Sequence, residues 1–458
     1  MTRLALPLAI CCLALAGCAT TTPVAPGRAD VTVPADFAAD FRPAAGAQDD
    51  WWTGFEDPAL HALIEAALAN NLDIAAARQR LEAARAGVRA ERSDLLPSLD
   101  ASGSGGLDAD SQGSAVTLSG GLTGLFQPDI SGRLSAEVQA ASASAAAAAF
   151  LVADQRRLVA ASVADRYVEL RRTGERLKLL EQSTRLQEQT LRIVTLRFEA
   201  GLSANLDVRR AAADLAQTRA QRGLLDLQRA QAAYALAILT GQVPQEVPAV
   251  TDAEDGIPRY TGGPPRGVPA DLLRRRPDLL IAEARLLEGA ALVGMERADL
   301  LPSLVIPGQI SLGDGSLGGI LSDFLLTVGA SLNLPLFDGG RRRAEIASAE
   351  AELDARFLEY RQSILGVLAE VENALVGIEA YSDRGADLEQ AIVESERAFE
   401  QSNALYREGL ATLFDVLDSQ RQLITSRQSL IDSEAALASS FIALYAAIGE
   451  PDTETSTL

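Results

Sequence analysis

The sequence predicts a mainly α-helical protein with a small β part, built by tandem duplication, and three observations support this. ERSDLLPSL, beginning at Glu91, returns as ERADLLPSL at Glu296, 205 residues later, and FEAGLSANLDV, beginning at Phe198, returns as YREGLATLFDV at Tyr406, 208 residues later. Offsets so alike mean that the stretch between was copied almost without insertion, giving one fold in two halves. Residues 129–243 and 336–450 contain no proline, and proline breaks helix interiors, so each half can hold very long helices. The chain is 48% hydrophobic yet only 5% aromatic, which suits alanine-rich helices packed side by side rather than a globular enzyme core.

The N-terminus reads as a bacterial secretion signal. Arg3 precedes the apolar run 4–16, which ends in Leu15-Ala16-Gly17-Cys18. Residues 1–17 are expected to be cleaved as a lipoprotein signal peptide, leaving Cys18 to carry an S-diacylglycerol and an N-palmitoyl chain. Cys11 and Cys12 leave with the signal, so no disulfide framework is expected. Ala19, rather than Asp, after the cysteine resembles lipoproteins sorted to the outer membrane. Residues 18–50 then form an extended lipidated tether.

The first repeat spans 51–241 and the second 270–449, with a proline-rich linker at 242–269 and a short tail at 450–458. Each repeat opens with an amphipathic helix, 73–94 and 278–299, matched in Asp73/Asp278, Arg80/Arg285, Leu81/Leu286 and Val88/Val293. A β-hairpin follows at about 98–126 and about 303–336. Within it, 115–126 and 326–336 alternate apolar residues (Val116, Leu118, Leu122, Phe126; Leu326, Val328, Leu332) with Thr, Ser, Gly and Asn. That period suits a strand between lipid and water, and equally one half-buried in a soluble domain. The preceding candidates, 98–106 and 303–312, are weaker, and Pro307 is expected to interrupt the second. Asp338-Gly339-Gly340 marks the bend from strand to helix.

Runs 133–200 and 341–408 then lack a strong breaker, and their length corresponds to a rod of roughly 100 Å. Gly201 and Gly409 turn the chain back into 206–239 and 414–448. In the last of these Val416, Leu423, Leu430, Leu437 and Leu444 keep a seven-residue interval, which imposes supercoiling against a neighbour. The first repeat has Arg222 and Arg229 at the matching positions, so its packing must differ.

Four strands per chain cannot close a barrel, and a sheet edge in lipid leaves backbone groups unpaired. A trimer would supply twelve strands and leave a lumen, with pseudo-sixfold symmetry from the duplication. The net charge of −21 argues against nucleic acid as a partner and against electrostatic docking on anionic lipid.

DWWTGFEDPALHALIEAALANNLDIAAARQRLEAAR, LLPSL in both halves, LRRRPDLLIAEARL, PLFDGGRRRAEI and the two glycine turns resemble the outer-membrane efflux factor (TolC-like) family, and in particular its lipoprotein branch of NodT and OprM-type factors. The resemblance covers residues 50–449. It implies a homotrimer with a 12-stranded β-barrel in the outer membrane, continued by a long α-helical barrel in the periplasm. It also implies a passive duct for drugs or other small solutes, coupled to a periplasmic adaptor (membrane fusion protein) and an inner-membrane pump, most simply of the RND type. No cofactor beyond the lipid on Cys18, and no metal, is implied.

On this resemblance Asp415 and Asp418, which share a helical face after the Gly409 turn, belong to a carboxylate ring constricting the periplasmic entrance. As a plain helix, they are acidic residues stabilising its N-terminus. Tyr406 and Asp207 resemble residues that latch neighbouring helices in the closed state, although the family's latch arginine falls on Ala411. Gly201, Leu202, Gly409 and Leu410 correspond to adaptor-docking tips, and glycine there also supplies the positive φ of a helix reversal. Trp51 and Trp52 read as packing anchors. His61 is the only histidine and no nucleophile and base are paired, so catalysis is not expected. The remaining alternatives are a type I secretion exit duct and a lipidated periplasmic coiled-coil adaptor, though an adaptor would carry one helical hairpin rather than two.

Overall fold

The computed structural model describes residues 50–110, 113–246, 256–262, 276–312 and 324–448. Cys18, the tether, the C-terminal tail and most of the linker lie outside the described residues. In chain order the elements are a 3-10 turn (Trp51–Phe55), α1 (Pro58–Asn70), α2 (Leu72–Ser93), β1 (Ser98–Asp110), β2 (Gly113–Phe126), α3 (Arg133–Glu199), α4 (Asn205–Ala220), α5 (Arg222–Leu239), α6 (Pro277–Ala298), β3 (Ser303–Leu312), β4 (Phe324–Val328), β5 (Ser331–Asn333), α7 (Arg341–Glu408) and α8 (Leu413–Ile448). The described residues fall into two compact units, one within 78–151 and 278–363 and the other within 50–77, 152–277 and 364–448.

The first unit carries an antiparallel sheet in the order β1-β2-β3-β4, with β5 also on β3. Proline does not end β3. The strand runs through Pro307, and the interruption falls on its partner, because Pro307 has no N–H to donate and only the Gly329 N–H to Pro307 carbonyl bond, 2.9 Å, remains there. The register is unchanged across the gap, with Gly308 opposite Val328 on one side and Val305 opposite Ser331 on the other. β4 and β5 are therefore one strand with a missing rung. Asp129 starts α3 by accepting from the backbone N–H groups of Leu134 (3.1 Å) and Ser135 (2.8 Å). At the matching bend before α7, Gly339 and Gly340 adopt positive φ, 68° and 92°, and Asp338 accepts from Gly340 N–H at 3.0 Å.

In this unit α6 packs between two long helices. Arg133 of α3 bonds Asp299 at 3.1 Å, while from α7 Glu350 meets Arg297 at 2.6 Å and Arg356 meets Glu288 at 3.2 Å. Leu286, Ala290, Val293 and Ala298 are buried as a result.

The second unit has its main core around the 3-10 turn. Trp51 and Trp52 are buried, and Trp51 stacks on Tyr445 with centroids 5.7 Å from Trp52 and 5.9 Å from Tyr445. Asp57 caps α1 through the N–H groups of Ala59 (2.9 Å) and Leu60 (3.1 Å), and its other oxygen accepts from the Tyr167 hydroxyl at 2.9 Å. One cap thus fixes α1 against α3. The linker is more than a connection: in its segment 256–262 Ile257 is buried, Tyr260 stacks on Phe441 and bonds the Tyr445 hydroxyl, and Thr261 N–H bonds the Gly54 carbonyl.

The return of the first hairpin is also not one helix. α4 and α5 meet at Gln221, beside Arg222, where the seven-residue apolar pattern lapses. Windows in α3 and α8 are long and apolar enough to cross a membrane by composition alone. α3 contains an alanine-rich stretch at 136–149, of which Ala136, Ala140 and Ala149 are buried.

Candidate functional site: a two-faced sheet and two helical tips

The register sorts the sheet into two chemical faces, because residues opposite one another in a ladder share a side. Leu107 pairs with Val116, Gly105 with Leu118 and Ala101 with Leu122. Leu122 pairs in turn with Ile310, and Phe126 with Ile306. Ile310 continues to Leu326, Gly308 to Val328 and Leu304 to Leu332. Every one of these residues is apolar or glycine. The opposite side carries Asp100, Ser102, Ser104, Thr117, Ser119, Thr123, Gln309, Ser311, Thr327, Ser331 and Asn333, with Leu125, Val305 and Leu325 among them. Leu99, Leu107, Leu326, Val328 and Leu332 are exposed in the isolated chain, so none of the described residues covers these positions of the apolar face. A soluble half-buried hairpin would have a core against that face.

The tips follow from backbone chemistry. At each, glycine takes positive φ, 74° at Gly201 and 79° at Gly409. Leu202 N–H reaches back to the Arg197 carbonyl at 2.7 Å and Gly201 N–H to that of Phe198 at 2.9 Å. The same two bonds recur from Leu410 to Leu405 (2.8 Å) and from Gly409 to Tyr406 (3.1 Å). This Schellman closure usually folds the following apolar residue back onto the helix. Here that residue stays out, Leu202 at 66% and Leu410 at 72% exposure. Two protruding leucines on rigid turns are left for another surface.

The predicted gate residues divide. Asp415 is part of a reciprocal cap: its carboxylate accepts from Thr412 N–H (2.8 Å) and the Thr412 hydroxyl (2.6 Å), and Asp415 N–H faces that hydroxyl at 3.4 Å. These bonds hold its carboxyl below the ordinary Asp value. Asp415 therefore stabilises the start of α8, as the plain helical reading expects. Asp415 and Asp418, one turn apart, are both exposed, and the cap on Asp415 leaves the gate reading of the pair open.

Tyr406 is buried, and its hydroxyl has no hydrogen-bond partner among the described residues. Within the chain Tyr406 and Asp207 are therefore not hydrogen-bonded to one another. Burial raises the Tyr406 hydroxyl's pKa, offset in part by the Arg197 charge and reinforced by that of Asp207. Arg197 is the residue that sequence reasoning missed. From the end of α3 its Nη1 donates to the carbonyls of Tyr406 and Arg407, each at 3.0 Å, and its guanidinium lies 4.9 Å from the centroid of the Tyr406 ring. A cation on the last carbonyls of α7 complements that helix's dipole and ties the first tip to the second. The available signal was its position four residues before Gly201, where the second repeat has Leu405. Gln420 is wholly buried, and neither of its side-chain amide atoms is bonded among the described residues.

Comparison with known proteins agrees with this geometry. The outer membrane efflux protein family matches residues 63–242 and 268–450, one segment in each half. The pyoverdine export outer membrane protein OpmQ of Pseudomonas putida is 32% identical over 454 residues, covering 95% of each chain. Nodulation protein T of Rhizobium leguminosarum bv. trifolii is 28% identical over 411 residues, 87% of each chain. Among solved structures, the outer-membrane channel OprN aligns with a TM-score of 0.81 at 30% identity, over 94% of this chain and 97% of that one. The family, the TolC-like fold and the two-faced sheet agree: the chain belongs to the outer membrane efflux protein family and is the outer-membrane channel component of a tripartite efflux system.

Proposed function

We propose that three chains close their sheets into a twelve-stranded barrel, with the apolar face against lipid and the Ser/Thr/Asn face around a water-filled lumen. Small solutes, drugs among them, then leave through it passively, driven by an RND-type inner-membrane pump. The observation that carries this reading is the register, which collects apolar residues from every strand on one side. Barrels in lipid need that separation, and they need no free edge. The periplasmic adaptor meets the tips at Gly201-Leu202 and Gly409-Leu410, whose leucines are presented outward. Cys18 carries the diacylglycerol and palmitoyl chains and adds a second hold on the membrane.

At the periplasmic entrance the three copies of Asp418, exposed and one turn past the capped Asp415, form the ring that repels until cations or opening relieve it. Asp207, Tyr406 and Arg197 lie at the same end of the hairpins. Buried polar atoms left unbonded there, the Tyr406 hydroxyl and the Gln420 amide, cost stability, which suits a segment that rearranges on opening.

Planar-bilayer recording on purified protein tests the duct. Asp418→Ala is expected to raise conductance and weaken block by multivalent cations added from the periplasmic side, with Asp415→Ala chiefly loosening the tip. Unchanged block in Asp418→Ala would remove the ring, and absence of any conductance from the wild type would remove the duct. A type I secretion duct would instead pass an unfolded polypeptide through the same pore, which a translocation assay with its ATP-driven pump would register.

A further inference from the structure

We infer that neighbouring chains repeat, between copies, the contact that joins the two halves within one chain, so that Arg341 pairs with Asp94 of the next chain. The inference rests on the trimeric reading above and adds the residues and register of the interface.

The duplication supplies the argument. Arg133 and Glu137 of α3 match Arg341 and Glu345 of α7, and Glu91 and Asp94 after α2 match Glu296 and Asp299 after α6. Within the chain Arg133 bonds Glu137 on its own helix at 2.9 Å and Asp299 of the other half at 3.1 Å. Arg341 has only the first of these, to Glu345 at 2.7 Å, and its side chain is 79% exposed against 35% for Arg133. Asp94 is likewise exposed. The missing bond is thus an arginine at one end of the duplicated array and an aspartate at the other.

Burial tells the same story. Leu134, Ala136 and Ala140 of α3 are buried, with the Ala136 methyl lying close to Gly294 of α6. Their counterparts on α7 are Arg342, half-buried, and Ala344 and Ser348, both exposed. On the facing side Val293 and Ala298 of α6 are buried, whereas the matching Val88 of α2 is half-buried and Ser93 exposed. Among the described residues, these faces of α7 and α2 lack the covering that their duplicates on α3 and α6 have. The occupant whose surface matches is a second copy of this chain, and opposite charges meet where it seats.

The sheet edges give the register. β2 lies on β3 with Thr123 opposite Gln309 and Phe126 opposite Ile306. Carried to the duplicates, the strand of β4 and β5 lies on the next chain's β1 with Ser331 opposite Ser104. This keeps apolar residues on one side across the seam, because Val328 then faces Leu107.

Four proteins test the ion pair: wild type, Asp94→Arg, Arg341→Asp and the double reversal. Subunit exchange in detergent is expected to rise roughly tenfold in each single variant and to return to within about twofold of wild type in the double, which restores opposite charges. A double variant no better than the worse single overturns the pair. Scattering mass of the wild-type particle separates the two levels, since a particle that is not trimeric would overturn the trimeric reading itself. The register has its own check. Oxidation should link chains carrying Ser331→Cys and Ser104→Cys, at the spacing of opposed strand residues, and should not link Ser331→Cys with Gly103→Cys. Equal linking in both pairs, or none in either, contradicts the register.

Discussion

Matching positions in the two halves do the same structural work with different chemistry. Where the first half closes, Asn71 is buried, caps α2 through the N–H groups of Asp73 (2.9 Å) and Ile74 (3.1 Å), and donates its amide to the Leu239 carbonyl at 3.0 Å. The second half has Arg276 in the corresponding place. It is 2% exposed, donates to the Ala447 carbonyl at 2.9 Å and also meets Glu370 at 2.7 Å. Leu239 and Ala447 are themselves duplicates, each near the end of a returning helix. The lesson is that duplication preserved a requirement, tying a C-terminal carbonyl to the start of the hairpin-bearing helix, while the residue meeting it was free to change. At the tips the halves differ further: Thr412 and Asp415 form a reciprocal cap on α8, whereas Ala204 leaves α4 with no side-chain cap.

The two halves should be most alike in the sheet. Leu118→Arg and its duplicate Leu326→Arg should each cost about 2–4 kcal/mol in assembly, if both face the bilayer near its midplane. Ser119→Arg and Thr327→Arg should be tolerated and shift ion selectivity. A large cost in one half alone would mean that the two hairpins are not equivalent. Next in size is the closing bond. Arg276→Ala should lose about 2–3 kcal/mol, as a buried charged hydrogen-bond donor is removed, and Asn71→Ala about 1–2 kcal/mol, as a cap and one cross-bond go together. Thermal melts followed by circular dichroism rank the two.

Arg197→Met should cost about 1 kcal/mol and increase the motion of a spin label at Leu410, while Leu405→Met, at the duplicate position, should leave that label unchanged. The smallest effect concerns pH. Because hydrogen bonds from Thr412 hold the Asp415 carboxyl low, the cap's stabilisation is present above the ordinary Asp range, near pH 4, and is lost as pH falls through the lowered value. Thr412→Ala should therefore loosen the second tip at neutral pH, and the difference from wild type should fade in strong acid. The same label at Leu410 reports it.

The helical architecture was legible because its signals are local. Proline-free runs and the two glycines placed α3 and α7 at Arg133–Glu199 and Arg341–Glu408, each within a residue of the expected span. The alternation in β2 and β4 also read correctly, although a single strand could not show that all strands share one apolar face. That needed the register. What was missed depends on distant partners. Arg197 sits inside a helical run with nothing beside it in sequence to mark the carbonyls of Tyr406 and Arg407. Tyr260 lies in a proline-rich linker but joins an aromatic cluster with Phe441 and Tyr445. Tyr406 and Asp207 are latch residues by resemblance, and the structure adds Arg197, whose guanidinium lies over the Tyr406 ring.

In the proposed barrel the sheet's apolar side meets lipid and its polar side meets water. Single cysteines at Leu122, Thr123, Ser331 and Leu332, in protein reconstituted into planar bilayers, test it directly with a water-soluble, membrane-impermeant thiol reagent applied during recording. Thr123→Cys and Ser331→Cys should react and lower the conductance, while Leu122→Cys and Leu332→Cys should not respond. Equal responses from neighbouring positions, or block from the leucine positions alone, would contradict the assignment of the two faces.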